Sequence, residues 1–154
     1  MAEISLRPMT LADVDGVWAV EHLSFRTPWS REAFEHEAES SHALYLVVTD
    51  GDQVVGYAGA HLVWGEAHVT NVAIHPDWRG RGLGERLMRA LEAGAAQRGA
   101  LRATLEVRVS NTAARSLYTK MGWVTAKGAI RKGYYTDTGE DAVVMWKDPL
   151  VGAV

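Results

Sequence analysis

The segment Val69 to Met88, VTNVAIHPDWRGRGLGERLM, constrains the fold of this chain most. An apolar strand runs into a loop of arginine and glycine, and an amphipathic helix follows. A further strand lies beyond that helix, and a strand, helix, strand crossover implies a parallel pair within a sheet. The loop also carries chemistry. Small residues at a helix start leave backbone N–H groups bare, and bare N–H groups bind phosphate. The order Arg79-x-x-Gly82-x-Gly84 lacks the Gly-Lys-Ser/Thr end of a Walker A loop and differs from the Rossmann Gly-x-Gly-x-x-Gly fingerprint. A plain turn at Gly80 and Gly82 is the bland alternative.

At 154 residues the chain is about one domain long, enough to bury roughly two thirds of its unfolded surface in one core. A single domain over residues 1–154 is expected. No basic segment followed by an apolar run opens the chain, and no apolar stretch approaches the ~20 residues that span a bilayer. A soluble cytoplasmic protein with no membrane partner is therefore expected. The chain has no cysteine, which removes disulfides, thiolate metal sites and a cysteine nucleophile together. Its six histidines show no His-Glu-x-x-His pair or other ligand spacing, so no metal site is expected. A net charge of -3 argues against nucleic acid as a partner, because neutralising phosphates takes clustered lysine and arginine. Arg79 and Arg81 beside glycines leave RNA contact as a minor alternative.

Ile4 to Met9 alternates weakly as a first strand, and Thr10 with Asp13 opens a helix over Leu11 to Phe25 whose apolar stripe is Val14, Val17, Trp18 and Leu23. Pro28 interrupts, and Ser30 caps a second helix to about Glu39. Tyr45 to Thr49 and Val54 to Val63 flank the turn signal Asp50-Gly51-Asp52, so those strands pair antiparallel. Ala67 to Ile74 is the next strand. Leu83 to Arg98 is a long helix ended at Gly99, and Leu101 to Val109 is a strand. Ser110 or Asn111 caps a helix to Met121, and strands near Trp123 to Ile130 and Ala142 to Trp146 close the chain. This order predicts a mixed α/β, or α+β, fold: one mostly antiparallel sheet with a central parallel pair and helices on both faces.

Within LRATLEVRV, Leu101, Ala103, Leu105, Val107 and Val109 share one strand face, and Arg102, Thr104, Glu106 and Arg108 share the other. A solvated polar face is the ordinary explanation. A strand fed by a helical crossover usually lies inside its sheet, however, so its polar face points to a cleft and Glu106 to a general base. Tyr118 lies two turns into the next helix, on the side of Ala114, Leu117 and Met121. It is either a core tyrosine or a phenol that reaches the same cleft and donates a proton to a leaving group. Asn111 reads as a helix cap, a role that excludes no other. Trp29, Trp78, Trp123 and Trp146 read first as packing.

The loop Arg79-x-x-Gly82-x-Gly84 resembles the acetyl-CoA pyrophosphate loop of the GNAT N-acetyltransferases, and the order of elements is similar to theirs. LEVRVSNTAARSLYTKMGW is similar to the LEVR-x-SN…LY…GF block of the RimI-type protein N-terminal alanine acetyltransferases. FRTPWS, NVAIHP and the stretch from Arg131 to Met145 with its YY and GEDA are similar to further blocks of that branch, so the resemblance covers nearly the whole chain. It implies a GNAT fold whose central parallel strands splay, and acetyl-CoA as cosubstrate. The backbone of Val72, Ala73 and Ile74 would pair with the pantetheine arm. The amides of Arg79, Gly80, Arg81, Gly82, Leu83, Gly84 and Glu85 would hold the pyrophosphate, and Asn111 would bond a cofactor amide. Glu106 would be the base and Tyr118 the acid. Phe25, Trp29, Tyr134 and Tyr135 would wall the peptide entrance. Gly133 and Thr136 depart from the Asn and Pro often found around the tyrosine pair, which bears on peptide selectivity.

The acceptor implied by the resemblance is a protein N-terminus, with the alanine of a small-subunit ribosomal protein foremost and a monomer favoured. An α-amine has a reference pKa about 2.5 units below that of a lysine side chain, worth roughly 3.5 kcal/mol less to reach the neutral nucleophile. The alternatives are a lysine or small-molecule amine as acceptor, and a non-catalytic acyl-CoA-binding protein.

Overall fold

The computed structural model describes residues 3–150. Strand β1 (Ile4–Pro8) leads through a 3₁₀ turn at Leu11–Asp13 into helices α1 (Val14–Ser24) and α2 (Arg31–Glu39). Strands β2 (Ala43–Asp50), β3 (Gln53–Val63) and β4 (Glu66–Ile74) form a meander. Helix α3 (Leu83–Gln97) then crosses to β5 (Arg102–Arg108), followed by α4 (Thr112–Lys120), β6 (Val124–Tyr135) and β7 (Glu140–Lys147). Among the described residues these strands make one sheet in the order β1-β2-β3-β4-β5-β7-β6. Only β4 and β5 run parallel, as the crossover requires.

Strand β2 is apolar almost throughout because both its faces are covered. Tyr45 and Val47 pack with Val14, Val17 and Val20 of α1 and Phe34 of α2. Leu46 and Val48 pack on the other side with Leu87, Met88 and Leu91 of α3, in a larger core that also takes Tyr118, Met121 and Trp123. Helix α2 begins where Ser30 leads it, the hydroxyl accepting the Ala33 N–H at 3.2 Å.

Two expectations need correction. The buried stripe of α1 is Val14, Val17, Val20 and Glu21, while Trp18 and Leu23 are 37% and 57% exposed. Leu11–Asp13 forms a tighter turn that delays the α-helix to Val14, and the sheet meets the face defined by spacings of three and four from there. The second correction concerns the last pair of strands. Strand β6 continues past Ile130 to Tyr135, with breaks in its register against β7 after Thr125 and after Arg131. These breaks let one long strand contain residues that a strict two-residue repeat would split off.

The parallel ladder between β4 and β5 is short. Glu66, Ala67 and His68 stand opposite Arg102, Ala103 and Thr104, and the strands then part. Beyond that point β4 keeps only β3, and β5 keeps only β7. A bulge marks the parting: Gly59 faces Asn71 and Ala60 faces Val69, leaving Thr70 as an extra residue in β4. The Thr70 Oγ1 bonds the Tyr45 hydroxyl at 2.6 Å and donates to the Gly59 carbonyl at 3.3 Å. Glycine is required there, because a Cβ at position 59 would stand 2.2 Å from the Tyr45 ring.

Candidate active site

The gap between the diverging halves of β4 and β5 is a cavity of about 490 Å³. His68, Asn71 and Val72 line it from β4, Glu106 and Arg108 from β5, and Asn111 and Tyr118 from the loop and helix that follow. Phe25 and Trp29 from the segment after α1 and Tyr134 and Tyr135 from the end of β6 also line it. The two polar candidates on consecutive elements therefore face one cleft. Both faces of β5 contribute, Glu106 and Arg108 from the polar side and Leu105 and Val107 from the apolar side.

Glu106 is held from two directions. Its Oε2 lies 2.6 Å from His68 Nε2, and its Oε1 lies 3.3 Å from Arg131 Nε. Burial opposes its charge, but the His68 hydrogen bond and the nearby His68 and Arg131 charges prevail, holding the carboxyl below its usual range. The converse holds for His68. Its hydrogen bond to Glu106 raises the imidazole above its ordinary value despite partial burial. Tyr118 is buried beside Trp123, their ring centroids 6.2 Å apart, and burial pushes its phenol up to about 12. Its hydroxyl has no hydrogen-bond partner among the described residues, so the donor is free for a ligand.

Past the other end of β4 lies the glycine loop, whose residues do not line the cavity. Gly80 and Gly82 both take left-handed conformations, with φ of +76° and +78°, and Gly82 is the residue before α3. Arg86 donates to the Gly82 carbonyl, so the amides of Leu83, Gly84 and Glu85 precede the helix's first internal bond. A Cβ built at Gly80, Gly82 or Gly84 would meet no protein atom within 4 Å, which leaves room for a phosphate against the amides. Arg79 folds back onto the Ile74 carbonyl at 2.9 Å, and Arg81 onto the Asp77 carbonyl at 3.1 Å. Glu85 pairs with Arg89 and Lys120. Of the three β4 residues Val72, Ala73 and Ile74, which pair with β3 on one side only, Val72 lines the cavity and the other two do not. Asn111 caps α4 through its Oδ1, which accepts the Ala114 N–H at 3.1 Å; its amide NH₂ is left to donate elsewhere.

Sequence reasoning missed several residues of this site. Glu21, 1% exposed, accepts hydrogen bonds from the Tyr57 hydroxyl, from Asn71 Nδ2 at 3.1 Å and from the Trp29 N–H at 2.7 Å. It thereby ties the segment carrying Phe25 and Trp29 to β4. The signal was a carboxylate at an apolar-stripe position of α1. Arg108 stacks on the Tyr135 ring at 4.0 Å and bonds both oxygens of Asp137, fixing the β6–β7 hairpin. His68 is the last β4 residue of the parallel ladder, where Glu66 and His68 stand opposite Arg102 and Thr104.

A central parallel pair that splays, with a glycine loop at the helix start beside it, is an architecture shared with solved N-acetyltransferases. The chain belongs to the Acetyltransferase (GNAT) family, whose sequence profile matches residues 14–123. Members of this family use acetyl-CoA. A Bacillus subtilis (strain 168) relative named "Putative [ribosomal protein bS18]-alanine N-acetyltransferase" is 45% identical over 143 residues, 92% of this chain and 93% of the relative. The crystal structure of the ribosomal-protein-S18-alanine N-acetyltransferase from Escherichia coli is similar at a TM-score of 0.87 and 29% identity, covering 98% of this chain and 97% of that one. Arabidopsis thaliana NAA60 in complex with acetyl-CoA shares the fold, at a TM-score of 0.86 and 14% identity over 95% of this chain and 98% of that one.

Proposed function

We propose that this protein transfers the acetyl group of acetyl-CoA to the N-terminal α-amine of a protein, with the alanine of ribosomal protein bS18 as its acceptor, in the cytoplasm. The observation that carries the reading is the convergence of Glu106 and Tyr118 on one cavity beside the open edge of β4. The bS18 acceptor is the one named for the relatives in Bacillus and Escherichia.

Acetyl-CoA as cosubstrate supplies a thioester carbonyl and departs as the thiol. The exposed amides of residues 79–85 and the edge of Val72, Ala73 and Ile74 hold its length, with the Asn111 NH₂ donating to one of its amides. Phe25, Trp29, Tyr134 and Tyr135 confine the acceptor chain so that only its first residue enters. Glu106, directly or through a water, removes a proton from the acceptor ammonium and leaves the nitrogen lone pair free to attack. Backbone N–H groups of the β4 edge face the carbonyl oxygen as it gains charge. Tyr118, protonated across the working range, donates its hydrogen to the departing sulfur, and the second proton, shed by the attacking nitrogen as it becomes the amide, restores the phenol through solvent. Both reactants are held at once, so no acyl-enzyme forms.

Release of free thiol from acetyl-CoA, measured against short peptides of varied first residue, tests this reading. Turnover with an alanine-headed peptide, and mass-spectrometric placement of the acetyl group on its α-nitrogen, are the expected results. Acetylation confined to internal lysines would remove the N-terminal assignment. Cofactor binding without amine-dependent thiol release would remove catalysis.

A further inference from the structure

His68 joins the enclosed carboxylate of Glu106 to the surface. Its Nε2 contacts Glu106 Oε2 at 2.6 Å, while the Glu106 side chain is only 8% exposed and the His68 side chain is 43% exposed. Among the described residues two side chains touch this carboxylate, the His68 ring and the Arg131 guanidinium, and of the two only the imidazole takes up and releases a proton near neutral pH. Nδ1 of His68 makes no hydrogen bond among the described residues, so one ring nitrogen faces the carboxylate and the other is free to exchange with water. The ring also lines the cavity itself.

We propose that His68 and Glu106 act as one proton-accepting pair, with the proton from the acceptor ammonium coming to rest on the His68 ring before it passes to solvent. This rests on the function proposed above and deepens it. The ammonium N–H bond breaks and its electron pair stays on the amine nitrogen. A ring N–H bond forms, the positive charge moves from amine to imidazole, and the Glu106 carboxylate remains ionised beside it. Loss of the ring proton to water returns the pair to its starting state.

The chemistry of each partner favours that division. A carboxyl held below its usual range is a weak base toward an ammonium, whereas an imidazole raised above its ordinary value lies closer to an α-amine, whose reference pKa is about 7.7–8.0. The charged and titratable groups around the ring are Glu106 on β5, Arg131 on β6, Glu66 on its own strand, and His61 opposite it on β3, which is itself bonded to Glu37 of α2. Glu106 and Glu66 raise the ring, and Arg131 lowers it. The carboxylates prevail.

The test compares wild type with His68→Gln and His68→Ala, using acetyl-CoA and one alanine-headed peptide, with kcat followed from pH 5.5 to 9. Wild-type turnover should fall with acidity as the ring becomes protonated, with a midpoint above about 6.5. His68→Gln should lose roughly tenfold or more in kcat, keep its acetyl-CoA affinity, and lose that midpoint from the profile. Added imidazole should restore turnover to His68→Ala. A profile for His68→Gln that superimposes on wild type in shape, whatever its height, would overturn the proposal, as would absence of imidazole rescue. The wild-type result is read first: no thiol release with any amine defeats the transfer reading and this one together, and turnover with an unchanged variant profile defeats this one alone.

Discussion

Glu106 and Tyr118 reach the same cavity by different physical routes. A carboxylate on an interior strand enters it by alternation, and a phenol two turns along the next helix enters by the helical repeat. Glu106→Gln preserves the shape of the side chain but removes its charge, and Tyr118→Phe removes only the hydroxyl. Each should lower kcat by ~10²- to 10⁴-fold while acetyl-CoA affinity, measured by calorimetry, changes little. Full activity in Glu106→Gln would end its assignment as base. These two residues were legible because each follows from a local repeat plus one inference about the sheet. His68 and Glu21 were not, because their importance depends on which strand or loop lies opposite, a tertiary fact. The stripe of α1 failed for a related reason: Trp18 and Leu23 are apolar in sequence, yet the sheet covers the neighbouring face.

Two short elements would hold the cofactor under the proposed function, and the local geometry of both was readable. The loop before α3 announced itself by glycine spacing, and its left-handed residues at 80 and 82 expose the amides as that spacing implied. Asn111 was readable as a cap, and the cap exists; its proposed second role uses the other end of the same amide. The two roles separate by substitution. Asn111→Ala should cost about 1 kcal/mol of stability, whereas Asn111→Ser, which still accepts a backbone N–H, should melt close to wild type. Both should bind acetyl-CoA more weakly, since neither retains an NH₂ donor. A serine variant with unchanged affinity would confine Asn111 to capping. The extent of β6 was less legible, because its register breaks depend on pairing with β7, which sequence periodicity does not encode.

At the scale of the whole molecule the sheet is two arms, β1–β4 and β5–β7–β6, with three opposed residue pairs between them. The order of elements made the mixed sheet and its parallel pair legible, and the resemblance supplied the splay. The length of the shared ladder required the coordinates. Acetyl-CoA added at saturation should slow amide hydrogen exchange along residues 69–74 and 105–108, the facing edges of the gap, more than in β1 or β2. Equal protection everywhere would place the ligand elsewhere. The arms are laced at one end only, so anything that fills the gap serves as a second lacing. Melting temperature then becomes a titration curve: a ligand at 100 times its Kd adds about 2.7 kcal/mol to the folded state, enough to rank acyl-CoA analogues by heat alone.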